Sequence, residues 1–197
     1  MKFLVFDTET TGKPRFYNAP MTNLNNWPRV IQLSFVQFDD NGKVIDDYNK
    51  LIKPDGWVMP TDTFWIENGF SQEKSMAEGI PIAEAIDAFI AKINISDLLV
   101  AHNMSFDYNV LGAEMIRLKK RADKRLKQIC TMNTTIEFCQ LPGKYGYKYP
   151  KLEELHIKLF GYKFEGAHDA LMDTMACGKC FFELIKRNII KIPNQNN

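Results

Sequence analysis

The amino-acid sequence predicts an α/β fold, in which a mixed five-stranded sheet is flanked by helices. Three observations support this fold. Residues 2–52 contain three segments of strand character, the rest of the chain alternates helical segments with short strands, and hydrophobic residues make up 45% of the 197 residues. This order of elements is typical of a mixed sheet with helices packed against it, and the composition can supply a buried core. We expect one domain over residues 1–190, followed by a short polar tail over residues 191–197.

The strands are predicted from short runs of residues that favour β-structure. The first run, KFLVF, is followed at once by Asp7, which predicts a buried strand that ends in a polar site. A long loop, Gly12–Trp27, separates this strand from the second, and Asn41-Gly42 indicates a turn before the third. The predicted strands cover about residues 2–6, 30–38, 43–52, 97–101 and 128–131.

The helices are predicted from apolar periodicity and from end signals. Thr61 or Asp62 could cap a first short helix, and Pro81 suits the first turn of the second. Gly161 suits the position just after a helix, and Asp169 suits the N-cap of the last helix, a structural role. The predicted helices cover about residues 62–68, 81–93, 105–118, 132–139, 151–160 and 169–187.

Charge and composition exclude several classes of protein. The chain has 25 Lys and Arg residues against 24 Asp and Glu, a formal net charge of +1, so we expect any contact with nucleic acid to be local. No apolar run approaches the length of a signal peptide or a membrane span, which predicts a soluble, cytoplasmic protein without membrane contact. Four cysteines in a chain of this length predict reduced thiols and not a disulfide framework.

The strongest functional signal is the motif FDTETTG at Phe6–Gly12. Asp7 and Glu9 are two residues apart, so an extended strand points both carboxylates to the same face. Neighbouring carboxylates repel each other unless a cation lies between them. Ligand sets made only of oxygen favour Mg²⁺ or Mn²⁺ over zinc. Taken alone, however, an Asp-x-Glu pair is more often a solvated strand end.

Two further motifs place polar residues after the fourth strand and at the last helix. In AHNMSFD, Asp107 falls in the first turns of a helix; in HDALMD, Asp173 lies within the last helix and His168 lies on the loop before it. Each residue alone has a structural interpretation, because Asp107 could complement the helix dipole and a single histidine is more often structural.

Together, the order, spacing and placement of these motifs resemble the DnaQ-like (DEDDh) 3′–5′ exonuclease family, which includes polymerase proofreading subunits and trimming exonucleases. The resemblance covers residues 3 to about 185 and implies a ribonuclease H-like fold. The sister group would need a tyrosine four residues before the last acid, where this chain has Asp169. The family's functional positions are filled by Asp7, Glu9, Asp107, Asp173 and His168.

The resemblance implies phosphodiester hydrolysis with two Mg²⁺ ions, for which Mn²⁺ can substitute. Two such ions, about 3.5–4 Å apart, stabilise the attacking and the leaving oxygen together. Asp7 would bridge both ions, Glu9 and Asp173 would complete one site, and Asp107 would hold the other, largely through water. His168 would be the general base toward the attacking water, since an imidazole titrates near working pH.

The resemblance also implies a substrate site. Thr10 and Thr11 would hold the terminal nucleotide, with Asn103 and Phe106 as candidate neighbours, although core packing is the preferred interpretation of Phe106. The implied substrates are single-stranded or frayed 3′ ends of DNA, with RNA as the runner-up, and the implied protein partner is a DNA polymerase. The Gly12–Trp27 loop is longer than the link in compact members, and we assign it no role beyond flanking the site.

Three segments keep open alternatives. Residues 117–127 hold seven Lys or Arg residues, which could bind phosphates or form a solvated helix end. Residues 143–151, GKYGYKYPK, interleave tyrosines with lysines and could stack single-stranded bases, although a surface loop is preferred. Cys177 and Cys180 have the spacing of half a zinc site, but core packing is the better interpretation.

Three rival functions stand beside that of a DNA exonuclease. The first is an exoribonuclease that uses the same site. The second is a non-catalytic module that binds nucleic acid or a polymerase, against which all five candidate positions are filled. A zinc-dependent interaction protein is a distant third.

Overall fold

The computed structural model describes residues 1–192 and contains a five-stranded sheet in the order β3-β2-β1-β4-β5. Residues 193–197 of the predicted tail therefore lie outside the described residues. The strands are β1 Phe3–Thr10, β2 Val30–Phe38, β3 Val44–Leu51, β4 Leu98–Ala101 and β5 Lys127–Cys130, with a separate small hairpin of β6 Pro142–Gly143 and β7 Gly146–Tyr147. The helices are α1 Thr63–Glu67, α2 Gln72–Glu78, α3 Ile82–Ile95, α4 Met104–Arg117, α5 Thr131–Thr134, α6 Ile136–Cys139, α7 Leu152–Phe160 and α8 Ala170–Lys186.

The sheet is mixed, as predicted. β1 pairs antiparallel with β2 and parallel with β4, β2 pairs antiparallel with β3, and β4 pairs parallel with β5. The carboxyl ends of β1, β4 and β5 therefore meet at one edge of the sheet. The α/β fold class predicted from the order of elements is confirmed.

Each face of the sheet carries its own hydrophobic core, and β1 contributes to both. Leu4 and Phe6 pack in a cluster with α3 and α4, whereas Phe3 and Val5 pack in a cluster with α7 and α8. Successive residues of a strand point to opposite faces. Continuing this alternation directs Asp7 toward the face that α8 covers.

Besides the small hairpin of β6 and β7, which was not predicted, three elements differ from the prediction. β1 continues through Thr10, because its ladder with β2 extends past the apolar run to Thr10 and Val30; Asp7 and Glu9 thus lie within the strand. The short helix α2 was missed, because its sequence is polar and its start depends on Ser71, which accepts a hydrogen bond from Lys74 N. The helix predicted after β5 is interrupted at Thr135, whose hydroxyl donates to Thr131 O at 2.6 Å.

Two predicted helix ends, at Gly161 and Asp169, agree with the structure, whereas Asp62 precedes α1 without a side-chain cap hydrogen bond and Pro81 immediately precedes α3. Gly161 follows α7 with φ of 83°, a left-handed conformation that glycine adopts at little cost. Asp169 caps α8 by accepting hydrogen bonds from Leu171 N and Met172 N. None of the helices within residues 1–192 is long and apolar enough to cross a membrane.

The Gly12–Trp27 loop contains no helix or strand and is braced internally. The buried side chain of Asn26 accepts from Phe16 N at 2.8 Å and donates to Phe16 O at 3.0 Å. Met21 lies against Gly112 of α4, where an added Cβ would come within 2.7 Å of its sulfur. The loop is thus fixed on α4 near the carboxyl end of β1.

Candidate active site

The carboxylates of Asp7 and Glu9 lie on β1, close to its carboxyl end, and both residues are half-buried. Asp7 pairs with Ser34 of β2, and Glu9 pairs with Gln32. Their spacing of two residues places both side chains on one face of the sheet. The strand therefore supplies two carboxylates that share one environment.

Asp107 reaches the same place from the first turn of α4. It is 3% exposed, and its Oδ1 accepts from the backbone N–H of Thr8 at 3.1 Å and from the Thr8 hydroxyl at 2.7 Å. These two bonds fix the carboxylate against β1. Thr8 lies between the two strand acids in sequence, and its positioning role was not predicted. Only the alternation of a strand, which turns Thr8 toward α4, could have indicated it.

Asp173 and His168 are brought in by α8 and the loop before it. His168 N–H donates to Asp173 Oδ2 at 3.1 Å, which His168 achieves with a positive φ of 72°. The His168 side chain is exposed, and its ring meets the edge of the Phe64 ring at a centroid distance of 5.2 Å. Glu9, His168 and Asp173 each offer one ligand atom within 4.8 Å of the others.

The pKa shifts of the four acids are those of carboxylates that are buried near one another. Burial, followed by repulsion from Asp107, Asp173 and Glu9, raises the pKa of Asp7 well above its ordinary value. Burial, followed by repulsion from Asp173, raises the pKa of Glu9 to about 8. Burial raises the pKa of Asp107 to about 7 despite the Thr8 hydrogen bonds, and it raises the pKa of Asp173 to about 6.

Such a cluster holds negative charge only at a cost, because buried carboxylates repel one another and lose hydration. The neighbouring charges that act on Asp7 and Glu9 are all carboxylates. A divalent cation among them would reverse this balance, and oxygen donors suit Mg²⁺ and Mn²⁺. The residues present therefore fit a divalent metal site.

A buried amide fixes the start of α8, and sequence reasoning missed it. Gln32 of β2 accepts from Ala170 N at 3.1 Å and donates to Asp169 Oδ2 and Asn49 Oδ1, both at 3.0 Å. Asp173 lies one turn further along the same helix. Because Gln32 links the strand beside Glu9 to the start of α8, it holds two of the acids in register.

The residues predicted to contact substrate have the following surroundings. The Thr10 hydroxyl donates to Gly12 O at 2.7 Å, and the Thr11 hydroxyl accepts from Arg29 N at 3.0 Å. Asn103 has a left-handed φ of 70° just before α4. Phe106 is partly buried and packs against the core cluster that contains α3 and α4. Their substrate contacts stay a prediction.

His102, at the end of β4, is a neutral structural residue. Burial lowers its pKa to about 4. Its Nε2 lies 3.0 Å from Pro150 O and its Nδ1 lies 3.0 Å from the Thr131 hydroxyl. A neutral ring satisfies both contacts by donating from Nε2 and accepting at Nδ1.

The cysteines and the basic run of residues 117–127 each had two interpretations, which their surroundings in the structure address. The four cysteines are free, and Cys177 and Cys180 lie on the buried face of α8, which supports core packing and not a zinc site. In the basic run, Arg117 donates to Leu24 O and Trp27 O, Lys120 pairs with Asp87, and Lys124 pairs with Asp97. Part of that run is thus structural.

Comparison with known proteins gives concordant results. A family model described as Exonuclease (RNase_T) matches residues 4–181. DNA polymerase III subunit epsilon of Treponema pallidum is 28% identical over 183 residues, which cover 93% of this chain and 76% of that protein. PolC-type DNA polymerase III of Halalkalibacterium halodurans is 28% identical over 188 residues, which cover 94% of this chain and 11% of the polymerase.

Solved structures show the same fold. E. coli exonuclease I in complex with a dT13 oligonucleotide superposes with a TM-score of 0.74 at 19% identity, over 94% of this chain and 41% of that chain. Exonuclease I from Methylocaldum szegediense gives a TM-score of 0.73 at 18% identity, over 94% of this chain and 40% of that one. The chain thus spans about four tenths of the exonuclease I chains and about a tenth of the PolC-type polymerase.

Proposed function

The chain belongs to the DnaQ-like exonuclease family, and on that premise we propose that it removes nucleotides one at a time from the 3′ end of single-stranded DNA. The observation that carries the proposal is the convergence of four carboxylates and one exposed histidine at one edge of the sheet. These residues come from β1, α4, α8 and the loop before α8, so the whole fold is needed to assemble them.

We propose that the acids hold two divalent cations, Mg²⁺ or Mn²⁺. Asp7 would contact both ions, Glu9 and Asp173 would complete one site, and Asp107 would serve the other. When bound, such ions stabilise the negative charge that develops on the attacking and leaving oxygens of a phosphodiester. The metal-free acids carry raised pKa values, so cation binding also supplies the charge that keeps them ionised.

His168 is the proposed general base. Its ring is exposed and lies beside Glu9 and Asp173, where it can accept a proton from the attacking water. Its backbone bond to Asp173 links the loop to the acid without occupying the ring nitrogens. The ring also packs against the Phe64 ring in a T-shaped arrangement.

The 3′–5′ direction of hydrolysis and the DNA substrate are proposed from the relatives. Their names include a polymerase III subunit epsilon and an exonuclease I bound to an oligonucleotide of thymidine. A non-catalytic module would not need five filled positions whose acids are costly to bury. Exonucleolytic activity on DNA is therefore the best supported function, and RNA is the alternative substrate.

The test uses purified protein with 5′-labelled single-stranded DNA, duplex DNA and RNA, in Mg²⁺ or Mn²⁺, with products separated on a sequencing gel. We expect a ladder of single-nucleotide steps on single-stranded DNA, no products in EDTA, and none with Asp7→Ala. A 3′-labelled strand should release its label as a mononucleotide at once. Internal cuts, release from the 5′ end, or faster degradation of RNA than of DNA would contradict the proposal.

A further inference from the structure

A small hairpin exposes three tyrosines that no core requires. In the tyrosine hairpin, defined as residues 142–149, Tyr145 is 91% exposed, Tyr147 is 48% exposed and Tyr149 is 60% exposed. Aromatic side chains normally bury most of their surface, and grouped exposed ones mark binding sites. Three within five residues therefore need an explanation outside the fold.

The tyrosine hairpin is held in place although its tyrosines are free to bind. Its ladder pairs Gly143 with Gly146 and continues to Lys148, whose N–H donates to Leu141 O at 2.9 Å. Glu154 of α7 accepts from Lys148 Nζ at 2.5 Å and from Lys151 N at 2.8 Å. Such a frame lowers the entropy that ordering the tyrosines on a ligand would cost.

The spacing of two tyrosines suits a nucleic acid base. Residues two apart in an extended chain are separated by about 6.6 Å. A base stacked on both faces needs about 3.4 Å on each side, or about 6.8 Å between the flanking rings. Tyr147 and Tyr149 are two residues apart, which is the spacing of side chains on one side of an extended chain.

The base of the tyrosine hairpin lies at the active-site edge of the sheet. The buried Pro150 accepts a hydrogen bond at its carbonyl from His102. The parallel pairing of Val5 with Val100 places His102 at the level of Asp7 on the neighbouring strand. At about 4.8 Å between strands, Pro150 lies on the order of 10–15 Å from Asp7, which is about three or four stacked nucleotides.

Lysines supply the charge that a phosphate backbone needs. Lys144 Nζ lies 5.1 Å from the centroid of the Tyr145 ring, and Lys151 lies two residues after Tyr149, whereas Lys148 is already paired with Glu154. Surfaces that combine aromatic rings with positive charge bind single strands with little sequence preference, because every base presents a stacking face.

We propose that the tyrosine hairpin binds the bases of single-stranded DNA on the 5′ side of the nucleotide that is removed. The proposal rests on the proposed function, which places the 3′ terminus at the carboxylates. It gives the strand a second contact, several nucleotides from the cleaved bond. The hairpin would then set how tightly long strands bind without taking part in the hydrolysis.

The test compares a triple variant, Tyr145→Ala, Tyr147→Ala and Tyr149→Ala, with the matched triple Tyr→Phe variant, which keeps the rings. Each protein is assayed with a strand of about 20 nucleotides and with a dinucleotide that is too short to reach the hairpin. For the long strand, we expect KM to rise about 10-fold or more in the Ala variant, with kcat unchanged. The Phe variant should match the wild type, and all three proteins should hydrolyse the dinucleotide equally.

Two outcomes would overturn the proposal. One is an Ala variant with wild-type KM on the long strand, and the other is an equal loss on long and short substrates. Fluorescence anisotropy with the labelled long strand measures binding separately from turnover. If the wild type bound the strand through the tyrosines but hydrolysed nothing, the proposed function would fail while the hairpin site would stand. Melting curves of the three proteins should coincide, because the rings are exposed.

Discussion

Replacing Asp107 by asparagine should stabilise the metal-free protein at pH 8 and weaken its stabilisation by Mn²⁺. Asparagine has the same shape, and its side-chain oxygen can still accept from Thr8 N and the Thr8 hydroxyl. What it removes is a buried negative charge beside other carboxylates. The substitution therefore separates the cost of that charge from the packing of α4.

The magnitude follows from the raised pKa. Asp107 goes from an ordinary value of 3.8 to a pKa of about 7 in the folded protein, which corresponds to about 4 kcal/mol at 1.36 kcal/mol per pH unit. Because the folded state binds the proton more tightly than the unfolded state, stability is full below about pH 4 and is lost as the pH rises through about 7. In EDTA, the variant should match the wild type near pH 4 and exceed it at pH 8 by up to about 4 kcal/mol, or roughly 10 °C in Tm.

The assay is thermal unfolding by circular dichroism between pH 4 and 8, in EDTA and in Mn²⁺. Mn²⁺ should raise the Tm of the wild type more than that of the variant, since a ligand stabilises in proportion to its affinity for the folded state. Asp55→Asn, on an exposed loop, is the control and should leave the unfolding curves in EDTA and in Mn²⁺ unchanged. The reasoning would be refuted if Asp107→Asn were less stable than the wild type in EDTA at pH 8. It would also be refuted if the substitution shifted the Tm by the same amount at every pH.

Three further predictions follow from the site. Gln32→Leu should lower the affinity for Mn²⁺ in calorimetry and reduce kcat. The reason is that Ala170 N, Asp169 and Asn49 lose their buried partner, at a cost of about 1–3 kcal/mol. Unchanged Mn²⁺ affinity would show that Gln32 does not position α8. His168→Ala should keep Mn²⁺ binding but lower turnover by roughly 10²–10⁴, and wild-type rates in a gel assay would exclude it as the base. Mn²⁺ binding at pH 7 should release more than one proton, since Glu9 has a pKa of about 8, Asp107 has a pKa of about 7, and metal ligands must be deprotonated; heats that do not differ between buffers of different ionisation enthalpy would contradict this.

Much of the site could be predicted from the sequence because its acids and its histidine lie in short sequence motifs. The alternation of a strand places Asp7 and Glu9 on one face, and the cap at Asp169 fixes where α8 begins. The prediction ended β1 too early because it followed the apolar run. The structure shows that pairing with β2, a partner distant in sequence, carries the strand through the acids.

The residues that sequence reasoning missed act over long distances along the chain. Thr8 and Asp107 are 99 positions apart, and Gln32 and Asp169 are 137 apart. A threonine or a glutamine within a strand carries no local signal of such a partner. Similarly, the sequence of the tyrosine hairpin indicates only a surface loop. The contact between His102 and Pro150, which the structure shows, places the hairpin beside the active site.

The central claim is that four carboxylates hold two divalent cations at the end of β1. Anomalous diffraction from crystals grown with Mn²⁺ and a nucleoside monophosphate tests it most directly. We predict two Mn²⁺ peaks about 3.5–4 Å apart, both bonded to Asp7, with Glu9 and Asp173 on one ion and Asp107 on the side of the other. A single peak that leaves Asp7 uncoordinated, or Mn²⁺ bound only elsewhere on the protein, would contradict the account.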